Sequence, residues 1–288
     1  MSNSSERETF ENSKKHLLLW GLLTLSFIAC YYTTFMWLNY KYQGQDSYYS
    51  HGYLIPFVTA YLIYLKRNEI REAPVGSSSW GLGVIVLALV IRIFGALGDI
   101  NFASGFSIVL YCFGCSLFLL GSQITKILAF PLLFLVFMCP IPEAYINIIA
   151  LPSKSIATSL ALFIMDIFRV PYIREGFIVH LAQATFVVGT PCNGMRSLIS
   201  FAALGVLMLY LFRASLWKKI IFLAMIPPLA VLLNGARIAL LLWIAYAYGE
   251  KAASPESYLH DGSGLLVFII GFVTMMFLVR KINEQKNS

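Results

Sequence analysis

From residue 17 to residue 279 the sequence repeats one theme: long apolar runs, each with at most one charged residue, separated by stretches that are more polar. Roughly 20 apolar residues let an α-helix cross a ~30 Å hydrocarbon core, where each backbone polar group has to find its partner within the protein. The runs fall at 17–37, 53–65, 80–97, 106–120, 124–138, 195–212, 220–248 and 265–279. The expected fold is therefore an all-α polytopic membrane protein with about eight transmembrane helices. No large soluble domain fits between them. The second run is short and holds Pro56, and Ser50-His51-Gly52 extends it; the seventh holds Pro227-Pro228, which predicts a kink. With 59% hydrophobic and 12% charged residues, the composition lies outside that of soluble domains.

The first apolar run is too long for a signal-peptide core and lacks a small-residue cleavage site, so it reads as a retained span. The expected organisation is a cytoplasmic tail at 1–16, a single transmembrane domain at 17–279 and a cytoplasmic tail at 280–288, with no extra domain after the last span. Residues 145–168 are long enough to cross but carry Pro152, Ser153, Lys154, Ser155 and Asp166, which suits an amphipathic helix lying in the outer interface equally well. Charge bias arbitrates. With eight spans and 145–168 kept on one side, Arg7, Lys14, Lys15, Lys66, Arg67, Arg71, Lys126, Arg213, Lys218, Lys219, Arg280, Lys281 and Lys286 share one face. The other face holds only Lys41, Lys154, Arg169, Arg174 and Lys251. The positive-inside rule then places both termini in the cytoplasm of a plasma (inner) membrane protein. The net charge of +7 is accounted for by this orientation signal and does not call for a nucleic-acid partner.

On the outer face, Phe177 to Leu181 and Thr185 to Val188 are strand-like and predict a short hairpin or extended segment. It delivers the chain to Cys192, in VVGTPCNGMRSLISF, at the mouth of the sixth span. A thiol at a helix N-terminus is biased toward the nucleophilic thiolate. Gly194 permits tight backbone geometry, and Arg196 follows one turn on. From this motif alone, a small packed cysteine is as good a reading as a nucleophile.

Two other chain positions reach the same depth. Arg237, in LLNGARIALLLW, stands 18 residues above Lys219, about 27 Å at 1.5 Å per residue and so near the outer boundary of the core. An arginine within a span is costly and marks a site unless it snorkels. Asn234 precedes it on the same helix face. His260, in SYLHDGSGLLVF, stands at the entrance to the last span, where an imidazole can take and return a proton near neutrality. Together they could run acyl transfer from a peptide bond. Cys192 would attack the carbonyl, Arg237 would stabilise thiolate or oxyanion, and His260 would act as general acid to the leaving amine. Asn193, Gly194, Arg196, Asn234 and His180 are the supporting residues on this reading. Asp261, adjacent to His260, is poorly placed to orient the ring.

PCNGMRS around Cys192, NGARIAL around Arg237 and LHDGSG around His260, in that order, resemble the exosortase/archaeosortase family of membrane-embedded cysteine transpeptidases. SHGYLIP from Ser50 and FMCPIPE from Phe137 add to the likeness, which covers 48–279. The resemblance implies substrates that are exported proteins with a C-terminal sorting motif, one transmembrane helix and a basic tail, transferred to a membrane lipid or glycan acceptor at the surface. It also implies that the Cys, Arg and His roles fall on Cys192, Arg237 and His260, and that no cofactor takes part. A histidine as third residue points to the bacterial exosortase side. Asn193 departs from the Ser or Ala usual after the cysteine.

Other features are weaker. Cys112-Phe-Gly-Cys115 matches a CxxC spacing but lies in an apolar run with no second pair. His51, His180 and His260 share the outer face, yet their spacings fit no metal-ligand pattern, so no metal is expected. Arg92, inside the third run, reads as a structural residue bound to a carbonyl or to Asp99. A transporter using Arg92 and Arg237 as pathway residues is the principal rival function, although the two halves show no convincing internal repeat.

Overall fold

The computed structural model describes residues 2–44, 47–189, 194–212 and 215–284. It is predominantly helical with one small sheet, and the protein is a multi-pass membrane protein of the all-α class. Six helical stretches are long and apolar enough to cross a membrane: Gly21–Gln43, Ser79–Leu97, Asn101–Met138, Glu143–Ile167, Leu216–Tyr248 and Glu250–Asn283. Met195–Leu211 is apolar and slightly shorter.

The chain forms two compact units. The first comprises Met1–Gly44 and Ser50–Pro140. It contains α1 (Ser2–Gln43), a 3-10 turn (Ser50–Tyr53), α2 (Leu54–Leu65), α3 (Arg67–Glu72), α4 (Ser79–Leu97) and α5 (Asn101–Phe134). The polar residues ahead of the first apolar run are helical and continuous with the rest of α1. Glycines set the contact of α4 with α5: a Cβ at Gly81 would lie 2.3 Å from the Phe118 nitrogen, and one at Gly114 would lie 2.9 Å from the Ile85 nitrogen. Small residues let helix backbones approach closely where lipid offers no hydrophobic drive to associate.

α5 is two helices joined by a reversal. Ser116 Oγ and Thr125 Oγ1 are 3.0 Å apart, whereas nine residues of straight helix rise about 13.5 Å. A Cβ at Gly105 would lie 3.6 Å from Cys139 Sγ, so the far ends also meet. The turn is at Gly121, with φ 82°, where the left-handed backbone favours glycine and the Gly76 backbone packs at 3.0 Å from a hypothetical Cβ. The runs expected at 106–120 and 124–138 are the two arms of this hairpin.

The second unit comprises Gln45–Tyr49 and Ile141–Ser288. It contains α6 (Glu143–Ile167), strands β1 (Tyr172–Glu175), β2 (Ile178–Leu181) and β3 (Thr185–Val187), then α7 (Met195–Leu211), α8 (Leu216–Tyr248), α9 (Glu250–Ala253) and α10 (Tyr258–Glu284). The sheet is antiparallel in the order β1-β2-β3. The expected hairpin thus gains a third strand, β1, which pairs with β2 across the tight turn at Gly176, φ 63°.

α6 is a continuous helix that meets the length and composition of a span. Three of its polar residues, Lys154, Ser159 and Asp166, meet the sheet. Lys154 Nζ lies 4.1 Å from the centroid of the Phe177 ring, Arg174 Nη1 donates to Ser159 Oγ at 3.2 Å and Tyr172 Oη donates to Asp166 Oδ2 at 3.2 Å. α8 runs unbroken through Pro227-Pro228 for 33 residues, about 50 Å and longer than a ~30 Å core. The part of it beyond Arg237 supports the sheet. Ile238, Leu241, Leu242 and Ala245 share a core with Ala157, Ala161 and Met165 of α6, with Val179, Phe186 and Val188, and with Ala253 of α9. Burying side chains of this size stabilises by about 1.5–3 kcal/mol each, which fixes the sheet on the helices.

Candidate active site

α8 and α10 bring Arg237 and His260 together. Arg237 Nη2 lies 3.3 Å from His260 Nε2 and 3.4 Å from the His260 carbonyl oxygen, and its Nε donates to Ser263 Oγ at 3.2 Å. A guanidinium only donates, so contact with Nε2 requires that nitrogen to be the acceptor, with the imidazole proton on Nδ1. Ser263 Oγ in turn donates to the His260 carbonyl at 2.6 Å. One hydroxyl thus ties the arginine to the backbone that carries the histidine.

His260 is not in a solvated loop. α10 starts seven residues before the expected span, so His260 occupies its first turn, 5% exposed. The Ser257 hydroxyl accepts from the His260 amide at 3.1 Å and donates to the Ala252 carbonyl at 2.7 Å. That is an N-cap arrangement, which fixes the turn that presents the imidazole. Asp261 is exposed, and its Oδ1 is 3.9 Å from His260 Nδ1, outside hydrogen-bond range.

Two glycines lie close to these groups. A Cβ at Gly264 would lie 3.4 Å from Arg237 Nη2, an ordinary contact, so α10 passes close beside the guanidinium. Gly194, at φ 76°, precedes α7, and a Cβ there would lie 3.1 Å from Asn234 Cγ and Nδ2. Asn234 is 2% exposed and one helical turn from Arg237. The start of α7 therefore abuts the helix face that carries the arginine. Cys192 and Asn193 lie outside the described residues.

Arg196 donates from Nε to the Ser47 carbonyl at 2.7 Å, and the Ser47 hydroxyl accepts from the Tyr49 amide at 3.0 Å. The Tyr49 hydroxyl accepts from the Ile141 amide at 3.0 Å. These bonds tie Ser47 and Tyr49 to the first turn of α7 and to the start of the segment leading into α6. His180 is placed apart from the pair: Nδ1 is 3.2 Å from Thr185 Oγ1 and Nε2 is 3.5 Å from Glu175 Oε2, on the sheet face opposite the core. Ser263 and Gly264 were not singled out from sequence. Their signal was in LHDGSG itself, since the residues three and four after His260 return to its face of a helix.

Arg92 takes a different kind of partner. Its Nε donates to the Cys30 carbonyl at 3.0 Å and its Nη2 to Thr33 Oγ1, both on α1, and not to Asp99. Cys112 and Cys115 are free thiols, as are Cys30 and Cys139.

No curated protein and no solved structure gives a significant match. The transmembrane exosortase family model matches residues 37–277, which takes in the junction of α7 with Asn234, the Arg237–His260 pair and Ser263. The chain belongs to the transmembrane exosortase family.

Proposed function

We propose that this sorting transpeptidase cuts exported proteins through a thioester on Cys192. The observation that carries the reading is the contact of Arg237 with His260, joined by the packing of Gly194 on Asn234. Cys192 is two residues before Gly194, and covalent geometry holds their Cα atoms within about 7 Å.

The His260 imidazole takes the Cys192 proton as the sulfur attacks the scissile carbonyl carbon, and Arg237 donates to the oxyanion that forms. His260 then returns the proton to the leaving amine, the C–N bond breaks and the acyl group stays on sulfur. An acceptor nucleophile, a hydroxyl or amine on a membrane lipid or glycan, resolves the thioester. Ser263 keeps the guanidinium aimed during both steps. The substrates are exported proteins with a C-terminal motif, a transmembrane helix and a basic tail. The basic loops favour a site on the outer face of the inner membrane, with both ends of the chain in the cytoplasm.

The test is Cys192→Ala in cells. Membrane-anchored, uncut precursors accumulate while the enzyme remains inserted, and their identity reveals the substrates. Processing that continues in this variant overturns the cysteine mechanism.

A further inference from the structure

The sheet of the second unit ends on an edge that leads straight to the proposed nucleophile. In the β2–β3 ladder, Val188 donates its amide to the Phe177 carbonyl at 2.9 Å and Leu181 donates to the Ala184 carbonyl at 2.8 Å. With the register Val179↔Phe186, residues 184, 186 and 188 turn their backbone groups toward β2. Thr185 and Val187 therefore turn theirs away from it. Among the described residues, no backbone hydrogen bond from outside the sheet reaches either one.

The side chains alternate in step. Ala184, Phe186 and Val188 are buried in the core against α6 and α8, whereas Thr185 is exposed and Val187 is 59% exposed. β3 is thus a rigid strand, held down by one face, with its outer row of N–H and C=O groups presented. Natural proteins usually cover or blunt such an edge, because it templates pairing with another extended chain. Cys192 is four positions after Val188, a reach of at most about 14 Å. An extended peptide paired along β3 would pass within one short stretch of chain from the thiol.

We infer that the outer edge of β3, at Thr185 and Val187, is the docking strand for the substrate's sorting segment, which joins the sheet as a fourth, extended strand. This rests on the reading of Cys192 as nucleophile. Backbone pairing supplies sequence-independent affinity, and alternate side chains of the segment meet either Thr185 and Val187 on the open face or the rim of the core beside Phe186. A scissile peptide held extended also exposes its carbonyl to lateral attack, which a helical segment does not.

The probe is the precursor that accumulates in the Cys192→Ala variant. With Val187→Cys added to that variant, single cysteines are scanned along the residues of the precursor ahead of its transmembrane helix, and disulfide formation is read after mild oxidation. Crosslinks that recur at every second position are expected; a spacing of three to four, or none, overturns the proposal. A linked dimer of the enzyme through position 187 also overturns it, by assigning the edge to a second copy. Separately, Val187→Pro in the otherwise native enzyme removes the outward N–H while sparing the ladder to β2. It should raise KM about tenfold with kcat little changed. Unchanged KM in Val187→Pro sinks the docking strand while leaving the cysteine chemistry standing; loss of the thioester reading alone shows only at Cys192.

Discussion

Arg92 and Arg237 both lie well inside apolar helices of this protein, and their surroundings differ in kind. Arg92 on α4 spends its donors on the Cys30 carbonyl and the Thr33 hydroxyl of α1, groups that neither titrate nor react. Arg237 on α8 meets an imidazole nitrogen and a buried hydroxyl, with Gly264 of α10 close beside it. Both satisfy the demand that a buried charge be hydrogen-bonded. Only the second faces groups that can move a proton. A charge in a membrane helix is therefore not itself the sign of a site; the chemistry of its partners is.

Substitutions can break this contrast. Arg237→Gln removes the charge from the oxyanion position and should lower kcat/KM by about 10²–10³-fold in a precursor-cleavage assay. An equal loss in Arg92→Met would erase the distinction. Ser263→Ala loosens the guanidinium without removing it, and a net hydrogen bond of about 1 kcal/mol predicts roughly a fivefold fall in kcat with KM unchanged. If Ser263→Ala instead lowers only the yield of folded protein, the serine is a packing residue. Arg92→Met should leave kcat/KM of the purified enzyme within about twofold, while its melting in detergent shows a loss of about 1–3 kcal/mol from breaking charged hydrogen bonds.

Much of this contrast was legible in the sequence, and the reason is physical. Long apolar runs specify spanning helices through length alone, and Arg237 and His260 stand out as residues whose burial in lipid would otherwise be costly. What the sequence hid were features that depend on a third dimension. The hairpin at Gly121 and the polar stripe of α6 both look ambiguous in one dimension, because a reversal between two apolar arms and a face covered by strands leave no periodic mark. His260, Gly262 and Gly264 fall ahead of the run expected at 265–279, because LHDGSG is too polar to extend an apolar run. The N-cap by Ser257 and the close seat of the guanidinium on Gly264 explain why the helix begins before them. β1 was missed because Arg174 and Glu175 interrupt the apolar pattern, and its pairing comes from the register set at Gly176.

The reversal at Gly121 has a consequence of parity. Because Gly105 returns to meet Cys139, the hairpin discharges the chain on the side where it took it in, however deep its turn reaches. It contributes an even number of crossings and is silent in deciding which compartment receives the residues that follow. An insertion that lengthens both arms leaves sidedness intact, whereas loss of one arm exports the entire downstream half to the opposite compartment. A reporter enzyme fused after Pro140 would register that inversion as a simple on or off signal.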